Sequence, residues 1–349
     1  MRRVIIAFDI GGTNVRAVVA PVSTHVAGAI PNAYAAAAPL VNQGGSKQAL
    51  QRFVESVLNG LDAKDQVAAA VLAFAGPATP DSVRMTNWPE PREVTLGELE
   101  EAGLPLGRTR VVNDMAAGMT GVRALIEGAV ETAFERVSDT GGMQTDEVPA
   151  RVVTGNLVYI APGTGLGAAA LVGDLVVGCE AQHTPMPVFD DEIAPVAERL
   201  RYAAGRAPTW EEFVSGRGLT AIHSALIAPE GERLNVADVD ASAARAIAGH
   251  AAEGVGSAVR AVELYYRCAA RFAQFLTLAL QPCAGVFFGG SSTIANRELL
   301  QASGFGRAFA DNAVMDATLA RTPVWIVLEE AVNLIGALAI AGELAKDTT

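Results

Sequence analysis

Apolar positions along the chain fall into two rhythms. Residues 4–10 (VIIAFDI) form a nearly continuous β-branched run closed by Gly11-Gly12, and residues 15–22 (VRAVVAPV) form a second run just past Gly-Gly-Thr-Asn. Such runs separated by glycines predict strand, tight turn, strand. The same pattern returns at residues 156–161 (NLVYIA), the turn Pro162-Gly163-Thr164-Gly165-Leu166-Gly167, residues 168–172, Gly173-Asp174 and residues 175–177. A glycine turn that leads into another strand differs from the dinucleotide fingerprint, in which the turn opens a helix. Two copies in different halves of the chain point to a duplicated unit, with a ligand between the copies.

Between and after these hairpins the period changes. Residues 48–61 and 243–280 carry apolar residues at helical spacing, the second stretch interrupted near Gly254 to Gly256. Residues 66–75, 109–112 and 285–288 are short apolar runs that predict buried strands, and a helix is expected from Met115. After the turn at 289–292 a helix is expected from about Ala295, and residues 329–345 predict a closing helix containing Gly336 and Gly342. Glycine inside a helix costs about 1 kcal/mol against alanine, so close packing is expected there. Residues 126–151 are polar after a helical start and predict a surface excursion. Alternation of strand and helix makes the fold class α/β.

Composition narrows the function. At 349 residues the chain exceeds the roughly 150 residues of one domain, which favours two. Lys and Arg total 26 against 38 Asp and Glu, a net charge of −12, which argues against nucleic acid and anionic membranes as partners. The apolar run after Met1-Arg2-Arg3 is too short for a signal peptide core, and a cytoplasmic protein is expected. Cys179, Cys268 and Cys283 have no CxxC spacing, and the four histidines show no HExxH pair, so neither a disulfide scaffold nor a zinc centre is expected. Only Lys47, Lys64 and Lys346 exist, none in a GK[ST] setting, which excludes a Walker loop and the protein-kinase pattern.

Any phosphate must therefore be held without lysine. Glycine lets successive backbone N–H groups converge on an anion, so Gly11, Gly12, Thr13, Gly163, Thr164 and Gly165 are candidate phosphate nests, alternatively plain chain reversals. Asp9 ends the first strand facing this turn and is either a magnesium ligand or a turn cap. Asn113-Asp114 follows the strand at 109–112, where an aspartate serves as a cleft carboxylate or a helix N-cap.

Taken in order, Asp9-Ile10-Gly11-Gly12-Thr13-Asn14-Val15-Arg16, Val111-Val112-Asn113-Asp114, Ala161-Pro162-Gly163-Thr164-Gly165-Leu166-Gly167 and Val286-Phe287-Phe288-Gly289-Gly290 resemble the bacterial ATP-dependent glucokinases of the hexokinase, actin and Hsp70-like ATPase superfamily. Met85-Thr86-Asn87-Trp88 and Ser215-Gly216-Arg217-Gly218-Leu219 also look like segments of that family. The resemblance implies a two-domain ribonuclease H-like, actin-like ATPase fold with a central cleft, residues 1–113 plus 329–349 forming a smaller α/β domain and 114–328 a larger one. It implies Asp114 as catalytic base, and Asn113, Glu180, His183, Glu211 and less directly Asn87 as sugar ligands. Asp9, Gly11, Gly12, Thr13, Asn14, Gly163, Thr164, Gly165, Gly289 and Gly290 are then expected to hold ATP, with Mg2+ at Asp9. A homodimer is a further implication. Glu211 is chosen over Glu212 by its spacing to Ser215-Gly216, although either could be a helix-start carboxylate.

Carboxylates and amides suit a ring of hydroxyls, because each can accept from or donate to neighbouring groups in pairs. The expected reaction is transfer of phosphate from ATP to the 6-hydroxyl of glucose. The alternatives are a kinase for another hexose or hexose derivative, and a nucleotide-dependent switch of actin or chaperone type with no sugar acceptor. The hydroxyl-binding set favours the kinase. One departure bears on the sugar: Cys179-Glu180-Ala181-Gln182-His183 stands where the family usually has Gly-Glu-Gly-Gly-His, restricting the backbone and adding an amide beside the pocket. A zinc-binding cysteine cluster and a DNA-binding extension before Val4 are not expected.

Overall fold

A computed structural model describes residues 1–11, 14–22, 40–43, 45–85, 88–138, 140, 155–229, 241–280 and 283–346. The first sheet has the order β3-β2-β1-β4-β7, built from β1 (Arg2–Ile10), β2 (Asn14–Pro21), β3 (Leu40–Gln43), β4 (Asp65–Phe74) and β7 (Thr109–Asn113). β5 (Ser82–Arg84) and β6 (Glu93–Thr95) form a separate ribbon. The second sheet has the order β11-β10-β9-β12-β13-β8, built from β8 (Phe134–Arg136), β9 (Asn156–Pro162), β10 (Leu166–Val172), β11 (Leu175–Cys179), β12 (Cys283–Phe288) and β13 (Val324–Val327).

The two sheets repeat one plan. In each, a hairpin pairs antiparallel with its first strand, β1–β2 and β9–β10, and two later strands join parallel on the other side, β4–β7 and β12–β13. This is the duplicated unit expected from the recurring glycine hairpins. β8 is a difference from the expectation for residues 126–151: Phe134 is buried and the strand pairs antiparallel with β13. Three residues are too few to show a period, and an edge strand carries half the ladder of an inner one.

Helices α1 (Lys47–Asn59) and α2 (Leu96–Glu101) cover the outer face of the first sheet, where Ile6, Phe8 and Ile10 meet Leu50, Phe53 and Leu99. Helices α3 (Asp114–Glu127), α4 (Ala194–Ala204), α5 (Gly216–Ile227), α6 (Ala241–Ala252) and α7 (Gly256–Ala279) follow, α4 to α7 packing on the outer face of the second sheet. Gly254, at φ +82, breaks α6 from α7 as expected. The turn after β12 is shorter than expected, since Gly290 at φ +89 sends the chain into a helix at Ser291–Ala295. The closing helix α8 spans Val332–Lys346, because Glu329 accepts the Ala331 N–H in a turn ahead of it.

α3 and α8 lie between the sheets and fuse them into one apolar cluster, with Ile5, Ala7 and Val71 on one side and Leu157, Tyr159 and Phe287 on the other. Alternating residues of β1 thus serve two cores, one on each face. Close approach of the two helices explains the glycine at 336: a Cβ there would overlap the Ala117 carbonyl, and one at Gly121 would overlap the Val332 carbonyl. Both obstacles are helix backbone, which cannot swing aside. Gly336→Ala and Gly121→Ala are each expected to cost about 2–4 kcal/mol in urea unfolding. Gly249→Ala, on α6 where a Cβ meets nothing within 4 Å, is expected to stabilise by about 0.5–1 kcal/mol.

Candidate active site

Every described residue expected to bind nucleotide or to act as the base lies at a carboxyl-terminal strand end or in the turn beside it, where open α/β sheets bind ligands. Asp9 ends β1 and Asn113 ends β7, while the turn at 163–165 joins β9 to β10 and Gly289-Gly290 follows β12. Gly12, Thr13 and Asn87 lie outside the described residues.

Asn113 and Asp114 divide the work of starting α3. The Asn113 side-chain oxygen accepts from the Met115 and Ala116 N–H groups at 2.9 and 3.2 Å, and its amide donates to the Gly76 carbonyl at 3.1 Å. Asn113 is therefore the N-cap, and Asp114 is the first helical residue. One Asp114 oxygen accepts from Met115 N–H at 2.9 Å. The carboxylate reaches solvent yet sits deep among protein atoms, and burial together with Asp9 and then Glu180 raises its pKa to about 7. These three acids therefore share one field.

Asp9 is itself buried and paired. Arg16 lies directly across the β1–β2 hairpin from it and donates to its Oδ2 at 2.5 and 3.2 Å, while the Asn333 amide lies 3.5 Å from Oδ1. Arg16 also reaches the Glu330 carbonyl ahead of α8. The role of Arg16 follows from hairpin register, which sets it opposite Asp9 once β1 is paired with β2. Among the described residues Arg16 is the one arginine paired with these acids, which leaves an excess of negative charge at this point.

The nests are narrower than expected. Gly11 N–H donates to the Asn14 carbonyl at 2.9 Å, and Gly163 N–H donates to the Gly165 carbonyl at 2.7 Å, so both are consumed inside their turns. The Thr164 and Gly165 N–H groups have no acceptor among the described residues. Asn14, at the start of β2, keeps an exposed side chain. Gly289 leaves space for the Tyr159 ring, whose hydroxyl would lie 2.5 Å from a Cβ at that position, and its N–H donates to the Ile160 carbonyl.

Glu211 and Glu212 take different paths. Glu212 closes a capping box with Thr209 and pairs with Arg206 at 2.8 Å, the helix-start role left open by the sequence. Glu211 turns toward the β9–β10 hairpin, accepts Leu166 N–H at 3.0 Å and pairs with Arg217 at 3.2 Å. Its oxygen would lie 2.6 Å from a Cβ at residue 165, so a side chain there would push the Glu211 carboxylate aside.

Glu180 and His183 flank the single turn Ala181–His183 that follows β11, with His183 Nε2 3.4 Å from a Glu180 oxygen. The missing glycines do not distort this turn. Ala129 is the one non-glycine residue at positive φ among the described residues, so Ala181 and Gln182 adopt backbone angles that any L residue tolerates. The same strand runs beside α3, where a Cβ at Gly178 would be 3.6 Å from the Asn113 side-chain oxygen. Cys268 packs in the apolar core, as expected for a cysteine without partners.

Comparison with known proteins places this arrangement. The sequence profile described as Glucokinase matches residues 6–344. A glucokinase of Rhizobium meliloti (strain 1021) is 31% identical over 290 residues, covering 79% of this chain and 76% of that one. A glucokinase of Caulobacter vibrioides (strain NA1000 / CB15N) is 28% identical over 337 residues, covering 94% and 92%. Among solved structures, glucokinase from Balamuthia mandrillaris in complex with glucose gives a TM-score of 0.79 at 22% identity, covering 97% of this chain and 94% of that one. A ROK family glucokinase from Streptomyces griseus in complex with glucose and AMPPNP gives 0.62 at 18% identity, covering 97% and 99%. With the profile spanning nearly its whole length, the chain belongs to the glucokinase family and has the actin-like ATPase fold.

Proposed function

We propose that this protein transfers the γ-phosphoryl group of ATP to the 6-hydroxyl of glucose, with Asp114 as the general base. The observation that carries the reading is the carboxylate at the start of α3, raised to about 7 by burial, Asp9 and Glu180. A base with that pKa is half ionised near neutral pH and strong enough to take a proton from an alcohol as it attacks, a role that contributes about 10² to 10⁴ in rate.

The acceptor is held by hydroxyl-binding groups on both sides of Asp114. Glu180 and His183 sit at the end of β11, Glu211 comes from the turn at 210–212, and Asn113 offers the second hydrogen of its amide. Glu211 already accepts from Leu166 and Arg217 but a carboxylate has about four acceptor positions, leaving room for a hydroxyl. The phosphates lie on the Thr164 and Gly165 N–H groups and on the backbone near Gly289 and Gly290. Asp9 fits a magnesium ion: among the described residues its second oxygen has only the long Asn333 contact, and the local excess of carboxylate favours a divalent cation. Bound there, the ion spreads phosphate charge.

Proton movement is then local. The 6-hydroxyl gives its proton to Asp114 while its oxygen meets the γ-phosphorus in line with departing ADP. Residues 1–113 with 329–349 and residues 114–328 are read as two lobes whose closure excludes water from this step. The returning α8 packs against β1 and β4 and also against α3, so it stands where the two lobes meet.

Purified protein with Mg-ATP is expected to release ADP in the presence of glucose, and Asp114→Asn to bind ATP while losing at least about a hundredfold in kcat. Hexose-independent ADP release, or near-normal turnover by the variant, would contradict the reading. kcat/KM for glucose is expected to rise with pH as Asp114 ionises, since only the carboxylate accepts the proton.

Stability carries the opposite sign. A carboxyl raised from 3.8 to about 7 on folding contributes stability that is fully present below about pH 4 and lost as pH climbs through 7. Asp114→Asn is therefore expected to melt above the unmodified protein at pH 8, the gap narrowing as pH falls toward 5. Equal melting curves at pH 8 would show that the carboxylate carries no such penalty.

A further inference from the structure

Gln182 lies between the two proposed sugar ligands Glu180 and His183 but is buried where they are half exposed. Its amide Nε2 donates to Glu180 Oε2 at 2.6 Å. His183 Nε2 is 3.4 Å from the same oxygen, so Oε2 is satisfied from within the turn. Glu180 Oε1 takes no bond among the described residues. Gln182 Oε1 is buried without a donor. Reversing the amide would place its oxygen against the carboxylate, so charge fixes its orientation even though one acceptor is left unpaired.

The turn that carries this clamp is tightly held. His183 N–H donates to the Glu180 carbonyl and Thr184 N–H to the Ala181 carbonyl, each at 3.1 Å. Trp210 N–H donates to the Thr184 carbonyl at 3.3 Å, tying the turn to the segment that presents Glu211. A buried amide on a fixed turn gives Glu180 one preferred rotamer, which two glycines could not do.

Resting on the sugar-kinase reading above, we propose that Gln182 is a positioning residue: it occupies one oxygen of Glu180 and thereby presents the other to a particular hydroxyl of the sugar. Gln182 touches neither the sugar nor the phosphate in this role. It acts on acceptor recognition and leaves the nucleotide side alone.

The test compares the full-length protein with Gln182→Met, which keeps the length of the side chain without its donor, and Gln182→Gly, which removes the clamp. Both are expected to raise KM for glucose about tenfold, as for loss of a hydrogen bond to a charged group, with KM for ATP within twofold. A set of monodeoxyglucoses supplies the readout that a merely structural role would not move. The deoxy sugar with the largest KM increase in the unmodified protein is expected to lose most of that increase in Gln182→Met, because its missing hydroxyl and the clamp act on one carboxylate. Unchanged glucose KM in a folded Gln182→Met protein, or a deoxy pattern identical to the unmodified protein, would overturn the proposal while leaving the kinase reading intact. Absence of sugar-dependent turnover in the unmodified protein would overturn both.

Discussion

Three carboxylates that act on one another, with Arg16 the one arginine paired against them among the described residues, are the constraint around which the candidate site is arranged. Asp9 ends a strand of the first sheet, Glu180 follows a strand of the second, and Asp114 opens the helix between them. Burial first, and then the like charges of Asp9 and Glu180, push Asp114 toward its protonated form. A fold has little reason to assemble such a group for stability, because the same repulsion works against folding above neutral pH. The proposed function accounts for it, because that chemistry needs a strong base and a cation-attracting surface.

The scaffold bears that load through close helix contact. α3 and α8 cross so tightly that side chains are excluded at Gly121 and Gly336, and their shared core reaches both sheets. Asp114 therefore stands on a helix N-terminus wedged by apolar packing, with Asn113 capping it. The helix end offers partial positive charge to the carboxylate, yet burial and two neighbouring acids prevail over that term. Position comes from packing, and charge state comes first from burial and then from the neighbouring acids.

Most of the scaffold could be read from the chain because the signals were long or repeated. The β1–β2 and β9–β10 hairpins carry contiguous apolar runs on both sides of glycine turns, and the interruption at Gly254 divides α6 from α7. β8 escaped because three residues at a sheet edge carry no period. In the site, Asp9 and Asp114 were visible as carboxylates after strands, while Glu211 over Glu212 rested on spacing to Ser215 and resemblance. The division of labour between Asn113 as cap and Asp114 as free carboxylate was not legible, since both residue types cap helices equally well. The clamp by Gln182 was also invisible: the sequence shows a lost glycine, and only the folded turn shows what the added amide touches. Consumption of the Gly11 and Gly163 N–H groups inside their turns likewise depends on backbone angles that composition does not specify.

The central claim is that Asp9 and Glu180 help set the charge state of Asp114. Carbon-13 NMR titration of the aspartate carboxyl groups, with the Asp114 signal assigned by its loss in an asparagine variant, measures this directly. The account predicts an apparent pKa near 7 for Asp114, and a lower value when Glu180 is replaced by Gln. Titration near 4 in the unmodified protein, or a value unmoved by removing the Glu180 charge, would contradict it.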